Sequence, residues 1–153
     1  MLKLSDDVAD FFQKQGFVIV ITCDPAGSLH CSCKGIVKIT QEGKIYLLDV
    51  YKEHTFKNLQ NNDNISITAV DEHRFKGYCL KGRAKVVAVQ DLDKEINAAW
   101  EERISGRITQ RVLKNLRQEK GHPRHPEAAL PKPKYLIAMD VEHIVDLTPH
   151  HLK

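Results

Sequence analysis

Residues 43–70 read GKIYLLDVYKEHTFKNLQNNDNISITAV, and the fold turns on this stretch. Gln41, Glu42, Gly43 and Lys44 make a turn, and the apolar run behind them predicts a strand over 45–50. The next ten positions, 51–60, are polar apart from a few residues. Phe56 and Leu59 lie three apart in them, enough for one or two helical turns resting on a barrel. Asn61, Asn62, Asp63 and Asn64 end that piece, and 65–70 alternates as a half-buried strand does.

The chain on either side continues the pattern. Upstream, Ser5 can cap a helix whose start is favoured by Asp6 and Asp7, with Val8, Phe11 and Phe12 on one face and Gly16 as the stop. Residues 17–22 form a continuous β-branched run, Asp24-Pro25-Ala26-Gly27 turns the chain, and 28–39 returns with a polar middle at Ser32 and Lys34. Downstream, 77–89 predicts a fifth strand. After Asp91 a helical period takes over: Leu92, Ile96, Ala99 and Trp100 share one face, and Ile104, Ile108, Val112, Leu113 and Leu116 another. Ser105-Gly106 between them predicts two helices or one kinked helix within about 91–120. Residues 121–133 are Pro-rich loop, and a last strand starts at Tyr135 and reaches Val141, Val145 or Leu147. Short linked strands with a late helical insertion favour a mainly β, six-stranded antiparallel barrel with flanking helices, in one domain over 1–153.

Bulk composition excludes several classes. A 42% hydrophobic content supplies a core without disulfide or metal staples. The net charge of +3, from 23 basic and 20 acidic residues, suits an anionic ligand but is too small to imply nucleic acid. Arg103, Arg107, Arg111 and Lys114 could form a stripe, yet acids interleave with the basic residues of this segment, so no nucleic-acid partner is expected. The start turns acidic before any apolar core, and the run 17–21 is far short of a membrane span. Four cysteines at 23, 31, 33 and 79 lack a disulfide rhythm, which predicts a reduced, cytoplasmic protein without a membrane partner.

Three constellations could carry chemistry. Around the short helix after the third strand, free N–H groups can hold a phosphate, Thr55 can add a hydroxyl, and Lys52 or Lys57 a charge. The rival reading is an ordinary solvated helix. In His30-Cys31-Ser32-Cys33-Lys34-Gly35, Cys31 and Cys33 face one way while Ser32 and Lys34 face the other. An inward lysine needs a partner; otherwise Lys34 points to solvent and the cysteines merely pack. Lys81 and Arg83 share a face and either reach one anion or decorate an edge. Cys31-x-Cys33 is not a zinc-knuckle spacing, and Cys23 and Cys79 read as core residues. His122, His125, His150 and His151 could take a metal adventitiously, so no metal site is expected. Glu101-Glu102 reads as a solvated helix face, and Trp100, Tyr46, Tyr51, Phe75 and Tyr78 as core aromatics that could also stack on a planar ring. No Ser–His–Asp order, P-loop or Gly-x-Gly-x-x-Gly signature occurs, so no catalytic residue is assigned.

In their order and spacing these elements resemble the pyridoxamine-phosphate-oxidase-like flavin-binding split barrels. The resemblance covers residues 4–90. It rests on Thr22, Asp24 and Gly27, on Thr55 and Lys57 with Asn58-Leu59, and on Gly82-Arg83-Ala84. It implies a homodimer with two FMN sites at the interface. Thr55 and Lys57 would hold the phosphate, helped by Lys52 or Asn58. The strand Cys31, Ser32, Cys33, Lys34, Gly35 would run beside the isoalloxazine ring, its backbone meeting the pyrimidine edge. Lys34 would sit near the N1–C2 carbonyl or the phosphate, and Arg83 would close the same pocket. The helices after 90 and the loop 121–133 would cover the site or extend the dimer contact. The arginine-rich strand and terminal arginine and histidine of the true oxidases have no match here, since the comparable strand is Cys-Ser-Cys-Lys. Vitamin B6 oxidation is therefore not expected, and the chain looks closer to the short flavin-nucleotide-binding members. The implied function is an FMN-dependent oxidoreductase or redox partner, with a deazaflavin cosubstrate as a variant; FMN is favoured over FAD because no dinucleotide motif occurs. The alternatives are a haem-binding or haem-degrading protein using His30, His54, His73 or His143, and a non-enzymatic ligand-binding protein.

Overall fold

The computed structural model describes residues 2–49, 53–116 and 134–152, with side chains in the long helix described as far as Gly106. In chain order the elements are α1 Asp6–Gln13, β1 Val18–Cys23, β2 Leu29–Ile39, β3 Lys44–Leu48, α2 His54–Asn61, β4 Asn64–Asp71, β5 Lys76–Ala88, α3 Lys94–Leu116 and β6 Tyr135–Asp146. The six strands close into an antiparallel barrel in the order β1-β2-β3-β6-β5-β4. β1 completes the ring by pairing with both β2 and β4.

Alternation along the strands builds the interior. Val18 and Val20 of β1, Ile45 and Leu47 of β3, Ile65 and Ile67 of β4, Leu80 of β5, and Ile137 and Met139 of β6 meet inside. Helix α1 adds Val8, Phe11 and Phe12 to this core, with Ser5 accepting from the Val8 N–H at 3.4 Å. A second, smaller cluster lies outside the barrel, where Ile96 of α3 packs on Val37, Leu48 and Leu136. A bulge between Ile36 and Lys38 lets both Val37 and Lys38 turn outward to α3, and Lys38 pairs with Glu95 there. No helix among the described residues is long and apolar enough to cross a membrane.

Several expectations need correction. α3 runs unbroken through Ser105 and Gly106. A lone exposed glycine weakens a helix by about 1 kcal/mol, and the packing of Ile96, Ala99 and Trp100 holds the segment in place. β3 ends at Leu48, because Asp49 turns inward to a lysine and a tyrosine. Cys23 and Cys79 lie on the barrel's outer side and are only half-buried, so neither is a core residue. Phe75 is a 65% exposed turn residue with φ of 50°. The Pro-rich loop 121–133, Tyr51 and Lys52 lie outside the described residues.

Candidate functional site

β2 changes partners half-way along. Leu29 to Lys34 pair with β1, whereas β3 is in register only with residues from Gly35 to Ile39. Among the described residues, no strand lies beside 30–34 on the edge turned away from β1. Every second residue there directs its N–H and C=O to that open edge. This is where the barrel is split, and α2 lies against it.

α2 meets β1 and β2 through a ladder of two hydrogen bonds and one ring contact. Asn58 donates its side-chain N–H to the Thr22 hydroxyl at 3.0 Å, the Ser32 and Thr55 hydroxyls lie 3.1 Å apart, and the His30 and His54 rings stand 4.9 Å apart. Thr22, His30 and Ser32 all point inward, since Thr22 is opposite His30 and Val20 opposite Ser32. Thr55 and Asn58 are buried and Lys57 is exposed. The helix start has no side-chain cap, and the N–H groups of His54 and Thr55 find no partner among the described residues. Open amides at the positive end of a helix are suited to an anion. The Thr55 hydroxyl belongs to the ladder, so what this residue offers outward is its backbone.

Lys34 does have a partner, and it is internal. Its ammonium donates to Asp49 at 2.7 Å, and the Tyr135 hydroxyl donates to the other carboxylate oxygen at 2.8 Å. Lys34 and Asp49 are only 9% and 5% exposed. Burial and the neighbouring Asp49 carboxylate both hold the Tyr135 phenol in its neutral form, well above its ordinary range. A ligand at the open edge would thus meet Lys34 as half of an ion pair. The alternation of Cys31 and Cys33 against Ser32 and Lys34 puts Ser32 and Lys34 on one side but leaves open which side is inside, and nothing local in the sequence names Asp49 or Tyr135.

The remaining expected residues lie elsewhere. Cys31 and Cys33 are exposed on the barrel's outer side. Across neighbouring strands one row there runs Cys33, Ile19, Thr68, Cys79, Val145, and the next Cys31, Ile21, Ser66, Lys81, His143. Arg83 pairs with Asp63 at 2.6 Å and Glu142 at 3.8 Å. Asp63 lies past the far end of α2, an eight-residue helix about 12 Å long, so Arg83 does not join Thr55 within one chain. A groove of about 860 Å³ between α1, β2 and α3, lined by Asp6, Asp10, Lys38, Glu102 and Arg103 among others, contains none of the expected site residues. Among the described residues no cluster of three metal-ligating side chains occurs.

A closed six-stranded antiparallel barrel, in which β2 changes partners half-way and helices pack against the strands, is a split-barrel architecture. The family model described as pyridoxamine 5'-phosphate oxidase matches residues 4–145, and the chain belongs to that family. No curated protein matches it. Among solved structures it is similar to HupZ of Group A Streptococcus, with 18% identity, TM-score 0.64 and coverage of 95% of each chain. It is also similar to HutZ, the heme storage protein of Vibrio cholerae, with 17% identity, TM-score 0.54 and coverage of 94% of each chain. An F420 reductase matches at 10% identity and TM-score 0.57, over 93% of this chain and 98% of that one. At these identities the likeness is one of fold.

Proposed function

We propose that this chain binds flavin mononucleotide, as a homodimer with the flavin at the interface, and acts as a flavin-dependent oxidoreductase. The observation that carries this reading is the edge of β2 at 30–34, unpaired among the described residues, beside the uncapped start of α2. A flavin needs two things from a protein at once. Its pyrimidine ring alternates acceptors and donors, which a free strand edge can match, and its phosphate needs amides and a cation. Here the amides of His54 and Thr55 would take the phosphate, with Lys57 one turn further on and exposed. Backbone groups from Cys31 to Gly35 would orient the ring, and the flavin itself would supply the electron-carrying chemistry. Membership of the family supports the reading, and so does the similarity to an F420 reductase, which keeps a deazaflavin cosubstrate as a variant. Oxidation of pyridoxamine phosphate is not part of it, because Cys-Ser-Cys-Lys replaces the arginine-rich strand.

The test is an FMN titration followed by quenching of flavin fluorescence, with the wild type and Lys57→Ala side by side. Loss of one charge-assisted phosphate contact should weaken binding about tenfold. Equal affinities would remove Lys57 from the phosphate site. Haem is the second reading, favoured by the likeness to HutZ and by partly exposed imidazoles at the same split. A Soret band in place of flavin absorbance would select it.

A further inference from the structure

His30 points inward from β2 opposite Thr22, and His54 opens α2. Their ring centroids are 4.9 Å apart and their planes differ by 31°. No hydrogen bond or carboxylate satisfies either ring among the described residues. The two contacts below them in the ladder, Ser32 with Thr55 and Thr22 with Asn58, are complete hydrogen bonds. At the outermost rung the two imidazoles stand in ring contact with no hydrogen bond between them, and an unprotonated imidazole has one nitrogen lone pair to offer a metal.

We propose that His30 and His54 form a two-imidazole clamp for a divalent transition-metal ion, which ties the start of α2 to β2. Metal–nitrogen bonds of about 2.0–2.1 Å, spread at a near-tetrahedral angle, put the centroids of two ligating rings about 5 Å apart. The observed separation of 4.9 Å is of that size. Imidazole pairs suit zinc, copper and nickel. No third His, Cys, Asp or Glu joins them among the described residues, so water or a small anion completes the coordination shell.

The inference is independent of flavin binding and is tested on the ligand-free full chain. Titration with Ni2+ should give one site per chain, weakened about tenfold or more in His30→Gln and in His54→Gln. The controls, His150→Gln with His151→Gln and Cys31→Ser with Cys33→Ser, should leave that site in place. Cu2+ added to the wild type should give an electron paramagnetic resonance spectrum split by two nitrogens, a readout that needs no variant to fold. Affinity unchanged in both histidine variants, binding lost in either control pair, or coupling to a single nitrogen would overturn the clamp.

Discussion

Lys34 illustrates how much one inward polar residue demands. An ammonium inside a barrel of valines and isoleucines is tolerable only with a counter-charge, and Asp49 at 2.7 Å supplies it. Asp49→Asn leaves that ammonium buried and uncompensated. Urea unfolding should then report a loss of about 3–5 kcal/mol, and a loss below about 1 kcal/mol would mean that the lysine escapes to solvent. Tyr135 adds a pH dependence. Its folded-state value is raised above the ordinary 10.0, so the native state keeps a proton that the unfolded chain releases as pH climbs past about 10. The stability due to this phenol is complete below that point and declines as pH rises through the window above it. In Tyr135→Phe the alkaline decline in stability should be shallower; an unchanged slope would detach the phenol from it. Asp49 and the tyrosine that holds it escaped the sequence reading. Tyr135 is 86 positions from Asp49 along the chain, and only the pairing of β3 with β6 brings them together.

Helices and strands were more legible, because each is signalled within a few residues. The β-branched run of β1, the Asp24 turn and the alternation of β4 all formed close to their expected bounds. The unbroken α3 shows where local propensity yields to packing. A Cβ at Gly106 would meet nothing within 4 Å, so Gly106→Ala should raise stability by about 0.5–1 kcal/mol; a decrease would point to a function for the flexibility. Gly82 is the opposite case. There a Cβ would stand 2.0 Å from the Asp140 carbonyl oxygen, beside the bulge that shifts β5 against β6. Gly82→Ala should cost about 1–3 kcal/mol in the same unfolding measurement. The Gly82-Arg83-Ala84 signature thus has a steric reason in this chain, even though Arg83 itself is engaged by Asp63 and Glu142. The candidate site was read less completely. Ser32, Thr55 and Asn58 converge, but on one another and Thr22 rather than on open space. Hydroxyls and amides that cap a barrel look, in sequence, the same as those that hold a phosphate.

Among the described residues the barrel has one covered and one bare side. α3 shields the outer surfaces of β3, β6 and the end of β2, while β1, β4, β5 and the start of β2 present Ile19 at 46% exposure and Val70 at 59%. Lys81 is the single lysine in the two rows that cross this side, and no acidic residue occurs in them. A bare, nearly neutral sheet face suits the second copy that the proposed homodimer requires. Ile19→Glu combined with Thr68→Glu would set like charges against each other there, and sedimentation velocity should then find monomers where the wild type gives dimers. A wild-type monomer would contradict the proposed assembly. The flavin itself remains the central claim. The most direct check is the visible absorbance of the wild-type protein after incubation with FMN and gel filtration. The account predicts a flavin band that travels with the protein and releases FMN on denaturation, and protein emerging colourless would contradict it.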